Sequence, residues 1–239
     1  MKPVLILKTG ESLPSIVQAR GDFEDWITAF SGHPSIHFQT IPVHIGVQLP
    51  EVSDFSGIIV TGSPAMVTED LPWIRDSKHF LLAAMDKSIP VLGICFGHQL
   101  LAHALGGVVD WHPQGREIGT PVIQLDGSAE RDPLFHSFPS EISVHVTHMQ
   151  SVITLPPDAQ ILGCNDFEPH HAVRFGEKVW GVQFHPEFDE DIIKGYIRER
   201  LDVIKEEGLD AEALLAGVSP ALEAQKILGR FVKLAREAQ

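Results

Sequence analysis

The chain has 239 residues, 44% of them hydrophobic, which is enough to bury one large core, and we expect a single domain over residues 1–239. It carries 18 Lys and Arg against 32 Asp and Glu. The resulting formal charge of −14 disfavours nucleic acid as a partner, because a polyphosphate would be repelled. The N-terminal apolar stretch is too short for a secretory signal, and no apolar run reaches about 18 residues. We therefore predict a cytoplasmic protein without membrane contact.

The first part of the chain has the pattern of a parallel sheet covered by helices. Short apolar runs rich in β-branched residues are separated by amphipathic segments, as in α/β proteins. Two of those segments, Ser15 to Phe30 and Pro72 to Lys87, are predicted helices, and the second places Ile74, Phe80, Leu81 and Met85 on one face. The predicted strands are Val4 to Leu7, His37 to Pro42, Gly57 to Thr61 and Val91 to Ile94.

The pattern changes between Gly119 and Val182, where short runs are broken by Asp-Gly and Pro. This favours antiparallel strands added to the main sheet. A last strand, Lys178 to Phe184, leads into His-Pro-Glu. In the tail we predict a helix over Glu190 to Glu207, a connector over Gly208 to Val218, and a helix with Ser219 as N-cap and Pro220 at N1. The apolar side of that last helix, Ala224, Ile227, Leu228, Phe231 and Leu234, is expected to dock on the body.

A candidate nucleophile lies in Gly93-Ile-Cys-Phe-Gly97, where an apolar strand turns into a helix. This is the pattern of a nucleophile elbow, in which a tight turn projects one side chain and flanking glycines make room for it. A cysteine at a helix start lies beside unpaired N–H groups and the positive end of the dipole, which favour the reactive thiolate. A buried structural cysteine would not explain both glycines and the strand-to-helix change together. The other cysteine, Cys164, lacks this context, and two cysteines without a Cys-x-x-Cys pair suggest neither a disulfide scaffold nor a structural zinc site.

A thiolate of this kind needs an imidazole and a group that orients the imidazole. The segment Phe184-His-Pro-Glu187 can supply both. If it continues the preceding strand, alternation sends His185 and Glu187 to the same face, and Pro186 keeps His185 extended. Taken alone, His-Pro-Glu would be weak evidence in a chain with 13 histidines.

Four segments in this order resemble the class I, triad-type glutamine amidotransferases, and look most similar to the amidotransferase domain of GMP synthetase. They are Val60-Thr-Gly-Ser-Pro64, Gly93-Ile-Cys-Phe-Gly-His-Gln99, Gly115-Arg-Glu-Ile-Gly119 and Phe184-His-Pro-Glu187, and the resemblance covers most of residues 1–188. It implies a flavodoxin-like α/β fold with a mostly parallel central sheet flanked by helices. It divides the domain into a catalytic core, 1–188, and C-terminal helices, 189–239.

The resemblance also implies the chemistry. Cys95 would attack the side-chain amide of glutamine, ammonia would leave, and water would hydrolyse the γ-glutamyl thioester, with His185 as acid and base and Glu187 as its orienter. The backbone N–H groups of Gly62 and Phe96 would hold the oxyanion. The expected substrate contacts are Gln99, His148, Met149 and Gln150, although Gln99 could equally be a polar residue on an exposed helix turn.

The sequence departs from the family at Val144-His-Val-Thr-His-Met-Gln150, where the GMP synthetase domain has a Ser-His-Gly-Asp type of segment. Gln150 replaces the acid, so preference for free glutamine over a γ-glutamyl compound is not settled by the motif. The pairs His145/His148 and His170/His171 have no acid at ligand spacing, which favours solvated or loop histidines. We predict no metal and no cofactor.

The sequence contains no phosphate-binding G-x-x-x-x-G-K-[ST] loop. The expected protein therefore stands alone or uses an unidentified synthase subunit as acceptor of ammonia. Two alternatives remain open at this stage. One is a γ-glutamyl peptidase that cleaves glutathione-like compounds with the same triad. The other is a binding or regulatory module without activity, which an intact Cys95, His185 and Glu187 disfavour.

Overall fold

The strands of the protein form one large sheet and two small ribbons. The structure, a computed structural model, describes residues 2–33 and 36–238. Within them the strands are β1 Val4–Lys8, β2 Phe38–Pro42, β3 Gly57–Val60, β4 Val91–Ile94, β5 Val108–Trp111, β6 Glu117–Gly119, β7 Val122–Leu125, β8 Glu141–Ser143, β9 Val146–His148, β10 Gln150–Thr154, β11 Gln160–Cys164, β12 Ala172–Gly176 and β13 Val179–Val182.

The large sheet has the order β2-β1-β3-β4-β13-β12-β11-β7-β8. The pairings from β2 to β13 are parallel, and those from β13 to β8 are antiparallel. The ribbons β5–β10 and β6–β9 are antiparallel and lie outside this sheet. The α/β fold predicted from the sequence, with a parallel core and added antiparallel strands, is confirmed.

Helices cover both faces of the parallel strands. On β1, Val4 and Ile6 belong to a core cluster that includes Phe231, whereas Leu5 and Leu7 belong to a second cluster. This separation follows from the two-residue period of a strand. The helices are α1 Pro14–Arg20, α2 Phe23–Phe30, α3 Pro72–Asp86, α4 Phe96–Ala104, α5 Glu190–Glu199, α6 Leu201–Glu206, α7 Ala211–Ala216 and α8 Leu222–Glu237.

The long helix α8 packs on the first of these faces, and α3 and α4 pack on the second. Phe231 of α8 is fully buried, which for a side chain of this size contributes about 1.5–3 kcal/mol. The predicted docking of the last helix is confirmed. Among the described residues, no helix combines the length and the apolar character needed to cross a membrane.

The helix predicted over Ser15 to Phe30 is in fact two helices. Gly21 adopts a φ of 79° after α1, and Asp22 then caps α2 in a capping box with Asp25. The local capping signal therefore overrides the continuous apolar spacing that suggested one helix.

Three predictions for the tail were also wrong. The stretch Glu190 to Glu207 is interrupted at Arg200, which has φ −113° and ψ 16°. The connector contains α7, because the Asp210 carboxylate accepts hydrogen bonds from two N–H groups of its first turn at 3.0 Å. The last helix begins at Leu222 after Ala221, so Ser219 and Pro220 lie before it, since the first turn closes on the Ala221 carbonyl.

Candidate active site

The candidate site lies where three neighbouring parallel strands end. β3 leads to Gly62, β4 leads to Cys95, and β13 leads to His185. The pairings of β3 with β4 and of β4 with β13 bring these ends side by side, and the Cys95 N–H donates to the carbonyl of Val182 at 2.8 Å. The carboxyl edge of a parallel sheet is where open α/β folds bind ligands.

Cys95 occupies a tight and strained turn. Its φ of 49° and ψ of −99° lie in a sparsely populated region for a non-glycine residue, which costs about 1–3 kcal/mol. A Cβ atom on Gly93 would lie 2.4 Å from the carbonyl oxygen of Gly97, and one on Gly97 would lie 2.6 Å from the carbonyl oxygen of Val60. Both glycines are therefore required for α4 to start this close to the sheet.

His185 and Glu187 form a buried pair. The Nδ1 atom of His185 lies 2.7 Å from Oε1 of Glu187, and neither side chain is more than 3% exposed. The ring of His185 stacks on Phe188 with centroids 4.1 Å apart. Its other nitrogen, Nε2, is buried and makes no hydrogen bond with the described residues. This arrangement fixes the ring and leaves Nε2 for another partner.

The sequence argument for this pair was wrong in one respect. β13 ends at Val182, and residues 186–187 form a turn in which the Phe188 N–H donates to the His185 carbonyl at 3.3 Å. The two side chains therefore meet across a turn and not along a strand.

The charge state of His185 depends on its neighbours. Burial disfavours protonation, but the carboxylate of Glu187 and then the sulfur of Cys95 outweigh it, and they raise the pKa of His185 to about 10. The ring is therefore a cation at neutral pH.

Gly62 and Phe96, the two predicted donors to an oxyanion, follow the ends of the neighbouring strands β3 and β4. A Cβ atom on Gly62 would lie 2.9 Å from Cε1 of His185, so only glycine fits. The Gly62 carbonyl is held by the hydroxyls of Thr9 and Thr61, each at 2.9 Å. Phe96 is the first residue of α4, where N–H groups have no acceptor within the helix.

A chain of amide groups leads from the cleft to the sulfur of Cys95. The side chain of Gln99 donates to the Gln150 carbonyl at 2.7 Å and to Oε1 of Gln183 at 3.0 Å. The amide of Gln183 in turn donates to Sγ of Cys95 at 3.5 Å. Gln99 is 4% exposed, so the alternative of an exposed helix turn is wrong. Sequence reasoning missed Gln183, although it precedes His185 by two residues.

His148 is tied into the body through a buried carboxylate. Its Nε2 lies 2.9 Å from Oε2 of Glu117, and its Nδ1 lies 3.1 Å from the Gln150 carbonyl. His171 approaches the same carboxylate oxygen at 3.2 Å. Burial opposes ionisation of Glu117, but His148 and His171 hold the pKa of Glu117 well below its usual range.

The interpretation of the histidine pairs as solvated or loop residues was therefore wrong for His148, which is buried on β9, whereas His145 and His171 lie in loops although they are buried. His145, His148 and His171 are buried, and only His170 is partly exposed. The missing acid, Glu117, precedes His148 by 31 residues and comes close only through the pairing of β6 with β9. Gln150 donates to Thr68 at 2.8 Å, while its Oε1 is buried without a partner among the described residues.

Comparison with known protein families gives a match over most of the chain. Residues 23–198 match the family described as Glutamine amidotransferase class-I. The chain belongs to this family. The fold resemblance covers nearly the whole chain: a crystal structure of a glutamine amidotransferase from Thermotoga maritima superposes with a TM-score of 0.75 at 22% identity, over 99% of this chain and 98% of that one.

Two curated relatives define the similarity in sequence. A GMP synthase of Thermosipho africanus is 35% identical over 149 residues, which are 59% of this chain and 27% of the relative. A glutamine amidotransferase-like protein of Schizosaccharomyces pombe is 27% identical over 216 residues, 82% of this chain and 83% of the relative. The chain thus spans about a quarter of the length of that GMP synthase.

The cleft of the protein contains most of the predicted site. It has a volume of about 120 Å³ and is partly open to solvent. Its walls also contain Tyr196 and Arg200 of the C-terminal segment, and Arg116, none of which the sequence indicated as site residues. The predicted residues that line it are Cys95, Phe96, Gln99, His148, Met149, Gln150 and His185.

Proposed function

We propose that the protein hydrolyses the side-chain amide of glutamine through Cys95, His185 and Glu187. The observation that carries this proposal is the buried His185–Glu187 pair, 2.7 Å apart, beside a cysteine in a strained strand-to-helix turn. That combination provides a sulfur nucleophile and an imidazolium whose ring is held in place by a carboxylate, which are the requirements of nucleophilic catalysis by cysteine.

In the proposed reaction, the Cys95 thiolate attacks the amide carbon and forms a C–S bond. The carbonyl electrons move to the oxygen, and the N–H groups of Gly62 and Phe96 stabilise the oxyanion. The oxyanion then collapses, the C–N bond breaks, and Nε2 of His185 gives its proton to the leaving nitrogen, which departs as ammonia. Water, deprotonated by His185, next attacks the thioester, and glutamate leaves as the thiolate is restored.

The substrate contacts belong to the same proposal. Gln150 offers Oε1, a buried acceptor without a protein partner, to the ammonium of the substrate. Gln99 and His148 both hydrogen-bond the Gln150 carbonyl, so they hold this acceptor in position. Met149 lines the cleft beside them. The ammonia is used by a synthase partner, as the names of the GMP synthase relatives suggest, or is released to solution.

A γ-glutamyl peptidase is the second candidate function. Two observations favour it. The cleft is open to solvent and reaches Tyr196 and Arg200, beyond the space that the catalytic residues occupy. In addition, Gln150 stands where the GMP synthetase type of segment has an acid. A γ-glutamyl peptide would place its second residue in that outer part of the cleft.

The experiment that tests the proposal compares ammonia release from glutamine with amine release from γ-glutamyl dipeptides. We expect hydrolysis of at least one class by the native protein, none by Cys95→Ala, and native rates for the matched control Cys164→Ala, since Cys164 is half-buried on β11 and does not line the cleft. Faster cleavage of dipeptides would identify the peptidase. Equal hydrolysis by native protein and Cys95→Ala would refute both candidates.

A further inference from the structure

Arg200 lies in the wall of the cleft, and one of its guanidinium nitrogens has no hydrogen-bond acceptor among the described residues. It is the residue that separates α5 from α6, and it is half-buried. Its Nη1 atom is buried and has no hydrogen-bond partner among the residues that the structure describes. A buried charged donor without an acceptor is costly, so the site is incomplete without an anion.

A stack of rings connects Arg200 to the catalytic residues. The ring of His185 lies on Phe188 at 4.1 Å, Phe188 lies on Tyr196 at 5.1 Å, and the guanidinium carbon of Arg200 lies 5.0 Å from the centre of the Tyr196 ring. The hydroxyl of Tyr196 is fixed by Ser12 at 2.6 Å. Two stacked rings, Phe188 and Tyr196, therefore separate the guanidinium of Arg200 from the ring of His185 and hold it in position.

The charges around Arg200 leave it available to a ligand. Its neighbour Glu207 is already engaged by Arg116, with hydrogen bonds of 2.8 and 2.9 Å. Burial lowers the pKa of Arg200, and the positive charge of Arg116 lowers it further, against the opposing effect of Tyr196. A bound anion would offset both the burial of the guanidinium and its repulsion by Arg116. The exposed carboxylate of Glu11 also lines this cleft, and its negative charge would attract the ammonium group of a γ-glutamyl substrate.

We propose that Arg200 binds a carboxylate of the substrate and thereby selects anionic γ-glutamyl compounds. A guanidinium presents a planar pair of donors that matches a carboxylate, which a lysine does not. The carboxylate has two possible sources: the α-carboxylate of the γ-glutamyl group, or the carboxylate of the residue attached to it. This inference names the substrate class of the reaction proposed above and rests on that reaction.

The test measures binding separately from catalysis. Protein carrying Cys95→Ala is titrated by calorimetry with four probes: L-glutamine, glutamine with its α-carboxylate converted to a carboxamide, γ-glutamylglycine, and γ-glutamylglycinamide. The titrations are repeated with Arg200→Met, which keeps the apolar stem, and with Arg200→Lys. Arg198→Met is the matched control, because Arg198 lies in the last turn of α5, just before Arg200, and is exposed.

We expect Arg200→Met to weaken binding of the carboxylate probe about 10- to 150-fold, the usual effect of losing a hydrogen bond between charged groups. Arg200→Lys should restore part of this loss, and Arg198→Met should bind as the unsubstituted protein does. Within each pair of probes, the carboxamide form of the probe should bind the protein with Arg200 and that with Arg200→Met equally well if Arg200 contacts the carboxylate that has been replaced. The pair that shows this behaviour identifies whether the bound carboxylate is the α-carboxylate or that of the attached residue.

Two results would overturn the assignment of Arg200. One is the absence of binding by any carboxylate probe, and the other is an equal loss for the carboxylate and carboxamide forms. Failure of the proposed reaction is separate, because it would appear as absence of hydrolysis by the protein with Cys95 intact. In that case a loss confined to carboxylate probes would still support the role of Arg200.

Discussion

Replacing Glu187 with glutamine removes the charge that keeps His185 protonated while preserving the size of the side chain. In the native protein, Glu187 and Cys95 raise the pKa of His185 to about 10 in spite of burial. At pH 7 the protonated form of the ring therefore predominates. Loss of an opposite charge in direct contact lowers such a pKa by about 1–3 units. We expect a shift of this size in Glu187→Gln.

The same shift changes how stability depends on pH. In the unfolded chain, histidine has a pKa near 6.5. Because the folded pKa is higher, protonation of His185 stabilises the fold fully below about pH 6.5, and this contribution is lost as the pH rises through about 10. One pKa unit corresponds to about 1.4 kcal/mol. Between about pH 6.5 and 10 the free energy of unfolding of Glu187→Gln should therefore fall by about 1–4 kcal/mol less than that of the native protein.

Two measurements check this prediction. The first is NMR of ¹⁵N-labelled histidine between pH 6 and 11, with the His185 signals assigned by their absence in His185→Gln. The second is urea unfolding of the native protein and Glu187→Gln at pH 6, 8 and 10. A native His185 that is neutral at pH 7, or stabilities of the two proteins that change in parallel with pH, would refute the electrostatic reasoning.

Three further substitutions test other parts of the site. Gly97→Ala should destabilise the fold by about 1–3 kcal/mol in urea unfolding, because its Cβ would lie 2.6 Å from a backbone oxygen of β3. The control Gly127→Ala should leave stability unchanged, because the space around Gly127 is open. Equal losses of stability in the two variants would contradict the close packing of α4 on the sheet. Gln183→Leu should reduce the hydrolysis rate about 10- to 150-fold by removing the donor to the sulfur, and an unchanged rate would exclude that role. His185→Ala should cost about 100-fold more activity than Glu187→Ala, and small, equal losses would remove both from the mechanism.

Local sequence was sufficient to predict the turn that carries Cys95. The strand, the glycines and the start of α4 lie within a few residues of one another, and each glycine is needed by a contact of less than 3 Å. The α/β architecture followed in the same way from apolar runs that the parallel strands bury on both faces. The break between α1 and α2 was also encoded locally, in Gly21 and Asp22, but the apolar spacing concealed it.

The rest of the site depends on contacts between distant parts of the chain. Glu117 holds His148 because β6 pairs with β9, and no spacing pattern reveals that pairing. Arg200 interrupts a stretch without Pro, Glu190 to Glu207, that the apolar spacing would continue as one helix. Its place in the cleft depends on the packing of Tyr196 against Phe188, which is a tertiary event.

The central claim is that Cys95 is the nucleophile, and covalent trapping tests it most directly. The protein is treated with a diazo-ketone analogue of glutamine, digested, and mapped by mass spectrometry, with Cys95→Ala treated in parallel. We predict one adduct, on the peptide containing Cys95, with loss of hydrolysis in proportion to labelling and no adduct in Cys95→Ala. Labelling of Cys164, or full activity after Cys95 is modified, would contradict the account.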